Sequence, residues 1–226
     1  REFRGKSKAG EYGDFVAQVD DAAGQVLRAI DDIGAAQDTL LVFTSDNGAR
    51  WPPDLLKRYP HRANAHWRGM KADIFDGGHR IPVLARWPGK VKAGSTTDGL
   101  GCLTDLMATA AALTSSKLPA GAGEDSYDLL PLMTGMTDQS PREAVVHHSA
   151  QGMFSIRDRQ WKLILGRGSG GFSLPKKIAP KPGESAGERF DMTADPSETR
   201  SLYKDRPEGG DRLQKLLQRY RIDGRS

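Results

Sequence analysis

Cysteine is nearly absent from this 226-residue sequence, which contains only Cys102. A single thiol excludes an internal disulfide framework and is compatible with either the cytoplasm or the periplasm. Aromatic residues make up 7% of the chain, and they are not interleaved with basic residues in a base-stacking pattern. No apolar run approaches the roughly 20 residues that span a bilayer. The sequence therefore predicts no disulfide scaffold, no nucleic-acid partner and no membrane partner.

The charge is close to balanced, with 33 basic and 29 acidic side chains and a net charge of +4. A modest positive field favours anionic substrates. Hydrophobic residues account for 37% of the chain, which is low but sufficient for a core. The composition is therefore typical of a globular enzyme.

One apolar run ends in residues with clear chemical meaning. Residues 39–44, Thr-Leu-Leu-Val-Phe-Thr, lack polar alternation and predict a strand buried on both faces, as in a parallel sheet covered by helices. Asp46 and Asn47 follow at its carboxyl end, where open α/β sheets bind ligands. Their carboxylate and amide oxygens suit Ca²⁺ or Mg²⁺. The alternative is a simple turn, because Asp-Asn-Gly also favours turns.

The segments on either side of this strand have their own patterns. Before it, apolar residues recur at helical spacing and predict an amphipathic helix over residues 14–33, with Gly34 as its C-cap. After it, residues 49–67 contain three prolines and predict an excursion above the strand end, where loops build substrate pockets. The candidate pocket residues are Trp51, Arg58, His61, His66 and Trp67.

Basic side chains and paired glycines precede a second apolar strand within residues 68–89. The segment contains, in order, Gly69-x-Lys71, then Asp76-Gly77-Gly78-His79-Arg80-Ile81-Pro82, then a predicted strand over residues 81–87 that runs into Trp87-Pro88-Gly89. Together with Ser45-Asp46-Asn47-Gly48, this order resembles the sulfatase family of the alkaline-phosphatase-like superfamily. Weaker similarities, including Asp195-Pro196-Ser197-Glu198, extend the resemblance over nearly the whole chain.

The resemblance implies hydrolysis of sulfate esters, either small molecules or sulfated glycans, in the periplasm or outside the cell. It also implies Ca²⁺ as the cofactor, with Mg²⁺ as the alternative. It assigns Asp46 and Asn47 to the metal and Lys71 to the transferring sulfate. The alternative interpretation of Lys71 is a surface lysine.

Further substrate-binding residues are expected among His66, His79 and Arg80. Arg80 alternatively braces its loop, and His79 is either a specificity feature or an exposed histidine. Asp76 stands where the family usually has glutamate, so its role stays open.

Two parts of the sulfatase pattern are absent from these 226 residues. Sulfatases have an early Cys-x-Pro-x-Arg or Ser-x-Pro-x-Arg segment, whose first residue becomes the formylglycine nucleophile, and an acidic pair that supplies further metal ligands. Cys102 is followed by Leu-Thr-Asp, so it does not match that motif and is interpreted as a small buried group near a helix start. The chain is expected to be the C-terminal portion of a sulfatase that does not turn over sulfate esters by itself.

The later part of the sequence predicts a smaller unit. A helix is expected over residues 104–113, and a Gly- and Pro-containing loop over 115–137 marks the boundary. Beyond it, the predicted elements are short antiparallel strands at 144–148, 153–157 and 160–165, a long insertion or disordered loop at 167–188, and an amphipathic helix with Leu213, Leu216, Leu217 and Tyr220. His147 and His148 are interpreted as structural.

We therefore predict an α/β fold with an alkaline-phosphatase-like sheet and flanking helices. Residues 1–137 would form the C-terminal part of the catalytic domain, and residues 138–226 a small α+β subdomain with an antiparallel sheet. Two other functions remain open, namely a phosphoesterase of the same superfamily and a non-catalytic module that binds sulfated glycans.

Overall fold

The computed structural model describes residues 2–205 and 207–226, excluding the side chains of residues 207–210. The elements are, in chain order, α1 (Gly10–Asp32), β1 (Leu41–Thr44), α2 (Pro53–Arg58), α3 (Asp76–His79), β2 (Val83–Arg86), α4 (Leu106–Leu113), α5 (Leu130–Met133), β3 (Val145–His148), β4 (Phe154–Arg157), β5 (Trp161–Ile164), β6 (Glu188–Asp191) and α6 (Pro207–Asp223). Short 3₁₀ helices cover Ala36–Asp38 and Leu103–Asp105. The strands form two antiparallel sheets, β1-β2 and β3-β4-β5-β6.

Helix α1 confirms the amphipathic helix predicted from the spacing, with a start four residues earlier. Ile33 caps its end, and Gly34 follows in a left-handed conformation at φ +72°, which glycine adopts without strain. The Gly34 amide donates to the Asp31 carbonyl oxygen at 3.0 Å. The helix therefore ends within one residue of the predicted position.

Strands β1 and β2 pair antiparallel, with Leu41 opposite Arg86 and Thr44 opposite Val83. All four β1 residues are half-buried, and Val83 and Leu84 are 55% and 59% exposed. The predicted parallel arrangement with both faces buried is therefore wrong for these strands within the described residues. An apolar run does not encode the direction of its neighbour, and here the two apolar runs pair with each other.

The antiparallel direction decides which loops meet. It places the carboxyl end of β1 beside the amino end of β2. The residues that follow Thr44 consequently lie next to those that precede Val83, and the Gly48 amide donates to the Gly78 carbonyl oxygen at 3.0 Å. The two segments that carry the sequence motifs are thus joined by the backbone.

The second sheet is a meander of four sequential strands. Strands β3, β4 and β5 confirm the three predicted strands to within one residue at each end. Strand β6 was missed, because it begins at the end of the segment predicted as an insertion. It completes the sheet by pairing Asp191 with Trp161 and Glu188 with Ile164.

Both faces of this sheet are covered. Successive side chains of a strand point to opposite faces, and neighbouring β5 residues accordingly belong to different cores. The first core packs the sheet on α6 and consists of Ala144, Ile156, Leu163, Leu213, Leu216 and Leu217. The second packs the sheet on the segment before α3 and consists of Ile74, Phe75, Ile164, Phe190 and Met192. The second core anchors the chain three residues after Lys71.

Contacts cross residue 137, where the sequence predicted a boundary. The buried Arg142 guanidinium forms an ion pair with the buried Asp105 carboxylate, with Nε 3.1 Å from Oδ2. The same carboxylate oxygen accepts the Cys102 amide at 2.7 Å, at the start of a 3₁₀ helix that leads into α4. The Cys102 thiol is free and half-buried. The division at residue 137 stays a prediction.

Candidate active site

Asp46 and Asn47 lie in a bend directly after β1. Asp46 is exposed and Asn47 is half-buried, and the Ser45 hydroxyl donates to the Asn47 carbonyl oxygen at 3.1 Å. A carboxylate and an amide are hard oxygen donors, so the pair fits a cation such as Ca²⁺. Within residues 2–205 and 211–226, no group of three or more His, Cys, Asp or Glu side chains is arranged to hold a metal ion. Since Ca²⁺ takes about six to eight oxygen ligands, this pair supplies only part of its coordination.

Lys71 reaches the same region through its backbone. Its amide donates to the Ala49 carbonyl oxygen at 3.2 Å, two residues after Asn47. The Lys71 side chain is exposed. The structure therefore brings together the segments of the three residues to which the resemblance gave metal and sulfate roles.

Asn64 holds these two segments in register, and the sequence gave no sign of it. Its side-chain oxygen accepts the Ala49 amide at 2.9 Å, and its side-chain nitrogen donates to the Ala49 carbonyl oxygen at 2.9 Å. The same nitrogen donates to the Gly69 carbonyl oxygen at 3.3 Å. One amide side chain thus clamps the loop after Asn47 to the loop before Lys71.

The glycines of both motifs are needed for close backbone packing. A Cβ atom on Gly48 would lie 1.8 Å from the Gly77 carbonyl oxygen. On Gly77 it would lie 2.5 Å from the Arg68 carbonyl oxygen, and on Gly78 it would lie 2.4 Å from that of Asp73. Contacts this short do not occur, so any side chain here would force the two loops apart.

The loop of residues 168–173 packs on the residues that follow Lys71. Asp73 is fully buried, and its Oδ1 accepts the amides of Phe172 at 2.7 Å and Ser173 at 2.9 Å. The Ala72 carbonyl oxygen accepts the Ala150 amide at 2.9 Å. Of the two alternatives predicted for residues 167–188, the long insertion is confirmed, because the segment connects β5 to β6 within the second sheet. A buried carboxylate 99 positions away in the chain accepts hydrogen bonds from its backbone.

A profile of the sulfatase family matches residues 2–116, which is half of the chain. The chain belongs to the sulfatase family. It is 32% identical over 225 residues to the N-acetylgalactosamine-6-O-sulfatase of Bacteroides thetaiotaomicron, an alignment that covers 96% of this chain and 43% of the relative. It is 35% identical to human steryl-sulfatase over 70% of this chain and 27% of the relative.

Solved sulfatase structures have the same fold. One, described with the metabolism of multiple glycosaminoglycans by Bacteroides thetaiotaomicron, superposes with a TM-score of 0.85 at 30% identity and covers 98% of this chain and 46% of its own. The PsFucS1 sulfatase from Pseudoalteromonas sp. gives a TM-score of 0.74 at 25% identity, with 92% and 42% covered. The predicted family and fold class are thus confirmed. The chain spans less than half the length of these relatives.

The sulfatase motif residues beyond Lys71 take part in a second set of contacts. The Arg80 guanidinium lies 3.7 Å from the centre of the Trp67 ring and forms an ion pair with Asp76 at 3.3 Å. His66 is exposed, and its ring also contacts the Trp67 ring, with the ring centres 4.1 Å apart. Arg80 therefore joins Trp67 to α3. The substrate roles of His66, His79 and Arg80 stay predictions.

Two residues that the sequence placed in a pocket above the strand end, Trp51 and Arg58, contact aromatic rings in the structure. Trp51 is 7% exposed and lies edge-on to Tyr12 and His61, with ring centres 5.3 Å away in both cases. It is a packing residue of the excursion, which the structure anchors through an aromatic cluster. Arg58 lies over the Tyr59 ring at 5.3 Å.

A buried charge cluster connects α3 to the second sheet, and sequence reasoning missed it. The fully buried Lys162 ammonium lies 2.9 Å from Oδ1 of Asp76 and 2.7 Å from Oε1 of Glu198. The second contact has the geometry of an ion pair and not of an aligned hydrogen bond. Arg157 adds a further positive charge, 2.8 Å from Asp76. The sequence did contain a sign that Lys162 is buried, because strand alternation places it on the same face as Ile164, which is buried.

The cluster sets the ionisation of its acids. Burial raises the pKa of Asp76, but the charges of Lys162 and Arg157 outweigh it and hold that pKa far below its ordinary value. Burial also raises the pKa of Glu198, and the positive charge of Lys162 offsets this increase only in part. Oε2 of Glu198 accepts the Asp76 amide at 2.7 Å. Asp76, whose role the sequence left open, is therefore the centre of a structural ion-pair network.

His79 faces inward and not into solvent. Its ring stacks on that of His147 with the centres 3.9 Å apart, and the Nε2 atoms of both are buried without a hydrogen-bond partner among the described residues. Burial and the Lys162 charge lower the pKa of His79 to about 4. The same two causes lower the pKa of His147 well below its ordinary value. Both histidines are therefore neutral at pH 7. The alternative prediction that His79 is an exposed histidine is wrong.

Proposed function

We propose that the protein to which this chain belongs hydrolyses sulfate esters, with Asp46 and Asn47 holding Ca²⁺ and Lys71 contacting the transferring sulfate. The observation that carries the proposal is the backbone junction between the two motifs, in which Ala49 accepts the Lys71 amide and Asn64 clamps both loops. The junction puts two oxygen donors and one ammonium on neighbouring loops. Membership of the sulfatase family supports the same assignment.

The chemistry requires positive charge near the ester. The oxygens of a sulfate monoester repel a nucleophile, and negative charge moves to the leaving oxygen as the bond breaks. Lys71 is a flexible ammonium that can donate to a sulfate oxygen or to the bridging oxygen. When bound, the cation supplies Lewis-acid polarisation of the sulfate. The sulfatase resemblance assigns the nucleophile to a formylglycine, whose motif does not occur in these 226 residues.

The substrate class and the location are part of the proposal. The bacterial relative is named for a 6-O-sulfated N-acetylgalactosamine, and the human relative for a steryl sulfate. We propose a sulfated glycan as the substrate and a periplasmic or extracellular location. Among the described residues, no helix is both long and apolar enough to cross a membrane.

The first experiment uses the full-length protein. It compares a sulfate ester with a phosphate ester as substrates and tests the role of Lys71. Wild type should hydrolyse 4-nitrophenyl sulfate faster than 4-nitrophenyl phosphate. Lys71→Met should lower kcat for the sulfate by about 100-fold or more, since one lost charge-stabilising donor typically costs that much. The matched control is Lys92→Met, because Lys92 is also exposed but lies after β2. Preference for the phosphate would instead favour a phosphoesterase.

The second experiment tests the metal. Asp46→Asn should weaken Ca²⁺ binding, measured by calorimetry on metal-free full-length protein, while the exposed Asp38→Asn variant should bind as wild type does. Equal affinity in the two variants would reject Asp46 as a ligand. Sulfated-glycan binding without turnover by the wild type would show a binding module and reject the hydrolase.

A further inference from the structure

Two other segments of the chain meet the segment that contains Lys71. Residues 46–50 contact it through the Ala49 carbonyl oxygen. The loop 168–173 contacts the two residues that follow it, because a Cβ atom on Gly171 would lie 2.3 Å from the Ala72 carbonyl oxygen and Asp73 accepts the Phe172 amide. Two side chains of these segments, Arg50 and Phe172, meet at this junction.

Phe172 is exposed although its backbone is firmly held. The residue is 49% exposed, whereas residues 168–171 immediately before it are buried. Asp73 accepts both its amide and that of Ser173. The backbone of the loop is therefore held by Asp73, and the half-exposed Phe172 side chain presents apolar surface to solvent close to Lys71.

Arg50 contacts this ring. Its guanidinium carbon lies 5.6 Å from the centre of the Phe172 ring, and the side chain is exposed. Among the side chains of residues 2–205 and 211–226, the guanidinium has no other partner. Its donors thus remain available to an anion while the guanidinium keeps its contact with the aromatic ring.

We propose that Arg50 and Phe172 form a substrate-positioning surface that selects a sulfated sugar linked to a second acidic group, either a uronate carboxylate or another sulfate. The Phe172 ring would pack on the C–H face of a pyranose. The Arg50 guanidinium would donate two parallel hydrogen bonds to the second acidic group, a geometry that its planar fork suits. This inference rests on the proposed function only for the identity of the reacting group.

The kinetic test uses the full-length protein with two substrates. One is a disaccharide that carries a sulfate ester and a uronate carboxylate, and the other is 4-nitrophenyl sulfate. Arg50→Met and Phe172→Ala should each lower the ratio of kcat/KM for the disaccharide to kcat/KM for the aryl sulfate about tenfold, mainly through KM. Phe172→Tyr retains the ring and should keep the wild-type ratio. Arg159→Met, which removes an exposed arginine from the turn between β4 and β5, is the matched charge control.

A binding measurement separates this inference from the proposed function. Calorimetry measures the affinity of the same disaccharide for wild type, Arg50→Met and Phe172→Ala. If wild type hydrolyses neither substrate, the proposed function is rejected, and a roughly tenfold weaker affinity in both variants still supports the positioning surface. Wild-type affinity in both variants overturns it. An unchanged kinetic ratio in an active enzyme overturns it as well.

Discussion

The Lys162 ammonium lies 2.9 Å from a carboxylate oxygen of Asp76, although the residues are 86 positions apart and both side chains are buried. The contact ties β5 of the second sheet to the first residue of α3. Gly77 and Gly78, the next two residues, form the surface on which Gly48 rests. A structural charge pair in the second sheet thus supports the loop that carries Asp46 and Asn47.

Removal of the buried cation should destabilise the protein. Lys162→Met leaves two buried carboxylates without their shared partner, and we expect the free energy of unfolding to fall by about 3–5 kcal/mol. Urea denaturation followed by circular dichroism measures the change. Lys215→Met, at an exposed position of α6, should change stability by less than about 0.5 kcal/mol. A loss below about 1 kcal/mol in Lys162→Met would contradict the role of the ion pair.

The stacked histidines should make stability depend on pH. The pKa of His79 is about 4 in the folded protein and about 6.5 when unfolded, so only the unfolded state binds the proton between these values. Stability is therefore fully present above pH 6.5 and falls as the pH drops towards 4, by up to about 1.4 kcal/mol per pH unit for each such histidine.

The test for this dependence is denaturant unfolding of wild type and His79→Leu from pH 4 to 8. The variant should lose part of the slope between pH 6.5 and 4. His66→Gln removes an exposed histidine and should retain it. Parallel curves for wild type and His79→Leu would show that His79 does not contribute.

The contact between the two motif loops should not tolerate a methyl group. Gly48→Ala would put Cβ 1.8 Å from the Gly77 carbonyl oxygen, and we expect a loss of about 1–3 kcal/mol or more together with weaker Ca²⁺ binding. Gly24→Ala, in the middle of α1, should instead stabilise by up to about 1 kcal/mol, since alanine is the better helix former. Wild-type stability and Ca²⁺ affinity in Gly48→Ala would disprove the packing argument.

Asp73 should control access of proteases to the loop that carries Phe172. Asp73→Ala removes the acceptor of the Met70, Phe172 and Ser173 amides, and bonds to a charged acceptor contribute about 1.5–3 kcal/mol each. Trypsin should then cleave after Lys176 or Lys177 faster than in wild type, as mass spectrometry would show. Asp98→Ala, at an exposed site, is the control. Equal cleavage rates in the two variants would refute this function of Asp73.

Local patterns predicted the helices α1 and α6 and the strands β3 to β5, because each depends on the spacing of apolar residues over a single element. The ordered motifs predicted the family. Strand β6 was not predicted, because Glu188–Asp191 has only one apolar residue and follows a Gly- and Pro-rich segment. The direction of β2 relative to β1 was not predicted either, because no residue of a strand specifies the direction of its neighbour.

The sequence by itself determined the family and the residue types at the candidate site, with Asp46 and Asn47 after a strand and Lys71 before the paired glycines. Only the tertiary structure decided what holds them. The Asn64 clamp, the hydrogen bond from Phe172 to Asp73 and the burial of Lys162 between Asp76 and Glu198 join residues that are between 5 and 99 positions apart. Periodicity and motif spacing report local geometry, whereas the partner of a buried charge or amide is chosen by how distant segments pack.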